Sequence, residues 1–411
     1  MNANRRLRVI VVGGGASGMT AALAAAEQGA VVTLLERQAR LGRKLAATGN
    51  GRCNLTNVRT SPAHYHGENA SFCTAALEFE TVAGSLNRFR EMGLLTVQEE
   101  DGKVYPMSDH AGSVVDVLRF SLAESGVSVR CGCCVESIRI DGKAYRLFCG
   151  EESYTADHVV IACGGAAGGR LGGVYDGYRL LEGLGHHCTL LKPALVQLRT
   201  DGKAVRGLKG VRTQARVRVI RDGAVVAEEL GEVQFTEYGL SGPAVFAIAR
   251  EAVKGEGSSV SLDLFPDLSQ EELFAHLQHR IHTRPQLTMD DLFTGTVQNR
   301  LGRVLVSAAG FSGSLPLRQA ESGLRAITRL AKAFSFQIIG DLGFDQAQVT
   351  SGGICTEEFD KNTMESLICP GLYACGEVLD IDGDCGGFNL QWAWSSGRMA
   401  GTFAGRSAGE C

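Results

Sequence analysis

The sequence predicts an α/β fold: a parallel sheet assembled from both ends of the chain, interrupted by an inserted region that is β-barrel-like and then helical. Three observations predict it. The stretch "RVIVVGGGASGMTAALAAAEQGAVVTLLER" runs from an apolar segment through a glycine turn and an alanine-rich segment to a second apolar one. Near the other end, "GLYACGEVLDIDGDCGGFNLQWAWSSGRMAGTFAG" leads from a short apolar run through glycines into a helical pattern. Between them, residues 193–264 read as short alternating strands and residues 269–333 as helices.

Each element follows from its residues. Val9 to Val12 is an apolar strand, Ala16 to Gln28 a helix ended by Gly29, and Val31 to Leu35 the next strand. Gly13, Gly15 and Gly18 place G-x-G-x-x-G in the first turn. In a βαβ unit the first glycine makes the turn, the second lets a pyrophosphate reach the backbone, and the third lets helix pack on strand. Ala16 and Ser17 open the helix, whose free N–H groups and dipole favour phosphate. Glu36, followed by Arg37, stands at the tip of the second strand, where a carboxylate accepts both hydroxyls of an adenosine ribose. The same carboxylate opposes a 2′-phosphate, which counts against NADP in this pocket. The spacing predicts a Rossmann-like dinucleotide site.

Three further segments select FAD. "ADHVVIACGGAAGG" is a strand, Val159 to Ala162, that delivers Cys163 and Gly164 to the ligand edge. Near the C-terminus a strand ends in Gly376-Glu377, with the acid placed for a ribityl chain. A glycine loop then opens a helix at Gly387, Phe388, Asn389 and Leu390, whose N–H groups can stabilise negative charge on reduced flavin. "GVSVRCGCCVESI" reads as a strand whose Val135 backbone meets adenine, with Cys131 and Cys133 alternating inward. A simple NAD enzyme needs no strand-Gly-acid element to close its site; FAD enzymes of the glutathione-reductase type use one.

This organisation explains a polar run that has almost nothing to bury, "LGRKLAATGNGRCNLTN". It follows the ribose acid and can track the cofactor from adenosine to flavin. Arg43 and Lys44 suit pyrophosphate or adenine, Gly49 and Gly51 allow close approach, and Arg52, Cys53 and Asn54 fall near the flavin ring. Cys53 lacks a C-x-x-C partner, so a packed or hydrogen-bonding thiol is favoured over a redox one.

The totals exclude other classes. A net charge of −4 gives no reason to expect nucleic acid or anionic lipid as partner. The most basic stretch, "RTQARVRVIRDGAVVAEE", reads as a hairpin turning at Asp222-Gly223. The apolar start is too short for a membrane span, and 13 cysteines without a secretory signal fit a reducing cytoplasm. His276, His279 and His282 spread over about 120° of a helix and lack an acidic or thiol partner, so no metal is expected. "SGPAVFAIAREA" is expected to be a helix capped by Ser241, Ser269 and Glu272 a capping box, and Thr288 and Asp291 the start of the helix "DLFTGTVQNRLGRVLVSAA". The expected domains are 1–191 and 349–411 for FAD, 192–268 with 334–348 as the β-rich insertion, and 269–333 as the helical one.

With these motifs in view, the chain resembles the bacterial BaiN-like or aminoacetone-oxidase-like NAD(P)/FAD-dependent oxidoreductases. The hallmark is Gly42-Arg43-Lys44 followed by Thr48-Gly49-Asn50-Gly51-Arg52-Cys53-Asn54-Leu55-Thr56-Asn57, with "VYPMSDHA", "FTEYGLSGPAV" and "AQVTSGGI" further on. The resemblance implies a FAD domain made from both chain ends. The chain departs from the family's pattern at Cys163, where members often carry Thr, and at Glu237, where they often carry His. The stretch "AAGGRLGGVYDGY" also lacks the usual Pro and Ser-Thr pattern.

The expected chemistry is hydride transfer from NADH or NADPH, bound transiently because no second complete glycine motif is present, through flavin N5 to an activated C=C. The substrate expected is a small steroid- or enone-like molecule. Oxidation of an amine with oxygen, RNA modification and a non-catalytic redox sensor are the alternatives. Cys53, Asp109 and Glu237 are the catalytic candidates, with Tyr105, His110 and Tyr238 as further proton donors. A Glu at 237 would need burial to hold its proton. The sequence leaves the oligomeric state open.

Overall fold

A computed structural model describes residues 6–406 except 203, 204, 206, 255 and 256. Two compact units form, one from residues up to Pro193 with those from Gln348 onward, the other from Ala194–Ala347.

The first unit is built on a five-stranded parallel sheet in the order Leu372–Ala374, His158–Ile161, Arg8–Val12, Val31–Glu36, Ser128–Cys131. The central strand is apolar along its length, as strands of a parallel sheet covered on both faces are; the helix Ala16–Glu27 and a strand of an antiparallel meander both pack against it. Val9, Val11 and Ile161 are fully buried. Val9 pairs with both Val32 and His158, so the three inner strands are in register. The helix Ala16–Glu27 lies against the C-terminal helix Phe388–Gly405, and their backbones nearly touch. A Cβ on Gly397 would meet Ser17 O at 2.4 Å, one on Gly401 would meet Ala21 O at 2.1 Å, and one on Gly405 would meet Ala25 O at 2.8 Å.

The second unit contains a closed six-stranded barrel, in the order Leu198–Thr200, Gly239–Ser241, Ala224–Phe235, Arg212–Arg221, Ser259–Asp263, Phe334–Asp341. Its long hairpin turns at Asp222-Gly223, both left-handed at φ 51° and 77°, as a type I′ turn demands. Val217 and Val219 point into the barrel, while Arg216 and Arg218 share Glu228 outside. Helices Gln270–Thr283, Asn299–Ala308 and Leu324–Lys332 complete this unit. Ser269 and Glu272 form the expected capping box. His276, His279 and His282 all face solvent.

Four local expectations are corrected. The strand through "CGCC" stops at Cys131, because Gly132 turns left-handed at φ 76° and donates its N–H to Gln38 O. Of the two thiols expected to pack inside, Cys131 is consequently exposed and Cys133 only half-buried; Cys134 is exposed as well. A three-stranded antiparallel meander, Ser137–Asp141, Ala144–Cys149 and Glu152–Ala156, follows. The helix Pro243–Ala252 starts from Gly242, since Ser241 is still in a strand. Thr288 and Asp291 cap a single short turn, Met289–Asp291, and the helix proper begins at Asn299 under a Gln298 cap.

Candidate functional site: a dinucleotide cradle

The cradle is assembled in the first unit from the C-terminal ends of its parallel strands. Gly13 sits at φ 109°, and a Cβ there would collide with Ala162 O at 2.3 Å. A Cβ on Gly18 would lie 1.8 Å from Gly13 O, so this glycine is a packing requirement. Gly15 differs: its φ is −83° and a Cβ would meet nothing within 4 Å. It fronts open space at the start of the helix beginning with Ala16 and Ser17, whose first turn has no side-chain cap and no acid. Uncapped N–H groups facing an open glycine form an anion site.

Glu36 is buried, yet each of its oxygens accepts only one hydrogen bond, from Gly14 N–H and Gln38 N–H, both at 2.6 Å. A carboxylate has about four lone-pair sites, so two donors more can be accepted. Residues 132 and 133 hydrogen-bond to the backbone at 36 and 38, which brings buried Val135 to the same end of the cradle. Arg37 is held by Asp176 at 2.9 Å and Arg43 by Gln38 at 2.8 Å.

Further along, Lys44 Nζ meets Glu377 Oε2 at 2.7 Å, and Glu377 Oε1 accepts from Thr350 N–H at 2.8 Å. Residues 333 positions apart thus meet, as the placement of the strand-Gly-acid element required. Gly376 is left-handed and donates to Ser396, which seats the acid against the C-terminal helix. Gly164, left-handed with open space at its Cβ position, and Cys163 lie on the neighbouring strand end. The Cys163 thiol rests 3.6 Å from Val12 O, and burial pushes its pKa up.

The polar loop closes the far end. Thr48 is extended, then Gly49, Asn50 and Gly51 are all left-handed, and Cys53 follows at φ 62°. This reversal turns Cys53 inward. Burial pushes its thiol up to about 12, against a weaker opposing bond with Thr48. Such a thiol stays protonated and is a packing group rather than a nucleophile. Ellman's reagent will label Cys131 and Cys134 in the native protein well before Cys53; rapid native labelling of Cys53 would contradict this reading. Arg52 turns outward, stacks 3.9 Å over Tyr105 and pairs with Asp109 and Glu99.

Beside the loop, Gly386 and Gly387 lead into the 18-residue C-terminal helix, which also lacks a side-chain cap. A Cβ on Gly387 would lie 2.8 Å from Asn54 Oδ1. That oxygen is buried and has no hydrogen-bond partner among the described residues. Asn389 ties the loop shut by bonding Gly383 N–H and O; Phe388 is buried and Leu390 follows within the first turn. An orphaned acceptor, two uncapped helix starts, two open glycines and an under-used buried carboxylate are what a dinucleotide with a polar ring would complete. The residues fit FAD.

The proton-donor candidates separate. Asp109 is exposed and tied to Arg52. Glu237 is exposed and paired with Lys209 at 2.6 Å, and this bond holds its carboxyl below the usual range. The burial that a neutral Glu237 requires is absent. A cluster that the sequence reading missed lies at the glycine loop: His64 Nδ1 and His66 Nε2 bond the two oxygens of Asp384 at 3.1 and 2.7 Å. Its only sequence signal is an H-x-H spacing across the end of a short turn and a two-residue strand.

The HI0933-like protein Rossmann domain family matches residues 7–403. The chain is 37% identical over 404 residues to a 3-dehydro-bile acid delta(4,6)-reductase of Clostridium scindens, covering 97% of this chain and 98% of that protein. It is 32% identical over 397 residues to a ribosomal RNA dihydrouridine synthase of Escherichia coli, covering 95% and 96%. Among solved structures, a 3-ketosteroid delta1-dehydrogenase from Sterolibacterium denitrificans shares the fold at a TM-score of 0.51 and 13% identity, over 97% of this chain and 99% of that one. No helix among the described residues is long and apolar enough to cross a membrane. With the cradle built for FAD and the match running nearly end to end, the chain belongs to the HI0933-like Rossmann domain family and is an FAD-dependent oxidoreductase.

Proposed function

We propose that the protein reduces a carbon–carbon double bond conjugated to a carbonyl in a small steroid-like substrate, with NADH or NADPH as transient electron donor. The 37% identity to a delta(4,6)-reductase over almost the full chain carries this reading. Bound FAD supplies the hydride for such a reaction. The chain's residues bind and orient it: Gly15 and the first helix at the pyrophosphate, Glu36 at the ribose, Lys44 and Glu377 along the ribityl chain. Asn54 and the N-terminus of the helix at Phe388 serve the ring, where the helix dipole offsets developing negative charge.

A ribosomal RNA substrate is the second reading, favoured by the 32% identity to a dihydrouridine synthase. The chemistry is shared, because the uracil C5=C6 bond is also conjugated to a carbonyl. The net charge of −4 weighs towards the small molecule, since RNA binding rests on basic surface. The test is an anaerobic visible spectrum with each nucleotide, followed by addition of a 3-oxo-4,6-diene bile acid or unmodified ribosomal RNA. Rapid bleaching by one nucleotide and recovery with the bile acid is expected. Recovery only with RNA establishes the second reading, and no bleaching by either nucleotide refutes the nicotinamide donor.

A further inference from the structure

Reduction of a conjugated double bond needs a proton as well as a hydride, and the two acids the sequence offered are surface ion pairs. We propose that His64 Nε2–H is the proton donor, with Asp384 as the group that orients the ring; this rests on the conjugated-bond reading above. The short strand Tyr65–His66 pairs antiparallel with Asp382–Gly383, so His64 is held against the glycine loop that opens the C-terminal helix. Asp384 N–H donates to His64 O at 2.9 Å, and Tyr65 Oη donates to Phe388 O at 3.0 Å. The His64 ring stacks on Phe388 with centroids 4.2 Å apart and an interplanar angle of 17°. Both neighbours of the ring therefore belong to the segment that carries Gly387 and faces the orphaned Asn54 oxygen.

The orientation is directional. Asp384 takes Nδ1 of His64, which leaves Nε2 as the exchangeable nitrogen, and the His64 ring has no other hydrogen bond among the described residues. His66 is engaged through Nε2 instead, so it is the poorer donor and helps to keep the carboxylate charged. Burial pushes the Asp384 carboxyl up, but the bonds from His66 and His64 outweigh it and hold it below the usual range. Both imidazoles remain about one-third exposed, so water can restore a proton. Other titratable groups at this corner include Asp382, buried opposite His66, Tyr65, Cys73 on the next helix, and Lys103, which faces Cys385 and pairs with Asp101. In the step, hydride from the reduced cofactor reaches the β-carbon and the His64 proton reaches the α-carbon. The π bond is lost, two C–H bonds form, the cofactor is oxidised, and neutral imidazole is reprotonated from water.

The holoprotein and its His64→Gln, His66→Gln and Asp384→Asn variants test this with 4-androstene-3,17-dione and 2-cyclohexen-1-one as probes. Bleaching by nicotinamide nucleotide should be unchanged in His64→Gln, while reoxidation by either enone slows about a hundredfold, the scale of general-acid catalysis. His66→Gln should lose less than about tenfold. Enone rates within threefold of wild type in His64→Gln, or a larger loss in His66→Gln, overturn the assignment. Imidazole 15N NMR provides a readout free of turnover: the neutral His64 ring should carry its proton on Nδ1, facing Asp384, and lose that preference in Asp384→Asn; a wild-type ring protonated on Nε2 instead overturns the dyad. Wild-type protein that bleaches but reduces neither enone defeats the reaction reading instead, and the 15N spectrum still decides the dyad.

Discussion

Gly15→Val is expected to purify colourless and to melt within about 3 °C of the wild-type apoprotein, a shift of roughly 1 kcal/mol. The reason is the contrast between two glycines of one motif. A Cβ at Gly18 strikes backbone at 1.8 Å, whereas one at Gly15 meets nothing and the backbone there is extended. Valine at 15 is therefore compatible with the fold, save for a poorer N-cap. Its side chain fills the space through which a pyrophosphate reaches the helix N-terminus, so FAD affinity should fall about a hundredfold or more, close to 3 kcal/mol. Isothermal titration of apoprotein with FAD, beside a melt, separates the effects. Gly18→Ala should show the reverse order, with the fold failing first. A Gly15→Val protein that retains stoichiometric flavin would remove the pyrophosphate from this turn.

Gly401→Val should cost about 3 kcal/mol or more, lowering the melting temperature by roughly 6 °C or beyond. The added carbon would lie 2.1 Å from the carbonyl oxygen of Ala21, and neither partner is a flexible side-chain end. The two helices must separate, and separation uncovers Ala21, Met19 and Ala400, all completely buried. Differential scanning calorimetry of the apoprotein checks this. An unchanged melt would mean that the helices do not meet along Gly397, Gly401 and Gly405.

Local order along the chain was readable where chemistry and spacing coincide. The first βαβ unit, the Asp222-Gly223 hairpin and the Ser269 capping box needed only neighbours in sequence. The alternation around "CGCC" misled because period-two spacing of small residues does not reveal that Gly132 already turns. The glycine ridge of the last helix was hidden by amphipathic averaging; its signal is the four-residue spacing of 397, 401 and 405 against 17, 21 and 25. In the cradle, Lys44 and Glu377 were both singled out, but their contact spans 333 positions and could follow only from topology. The His64–Asp384 pair spans 320 positions, and the H-x-H spacing does not point to its acid.

The helix-to-helix seam also sets a schedule for synthesis. Ser17 and Gly397 are 380 positions apart (397 − 17). At about 5–20 residues per second, a ribosome takes roughly 20–75 s between them. Throughout that interval the glycine motif exists while its covering helix, and the strand Leu372–Ala374 at the edge of the sheet, do not. Flavin loading is therefore a late event in synthesis, and a nascent chain must keep its alanine ridge from foreign contacts until this helix arrives. A stop codon before that helix yields a polypeptide with every N-terminal nucleotide signature and no hold on the nucleotide.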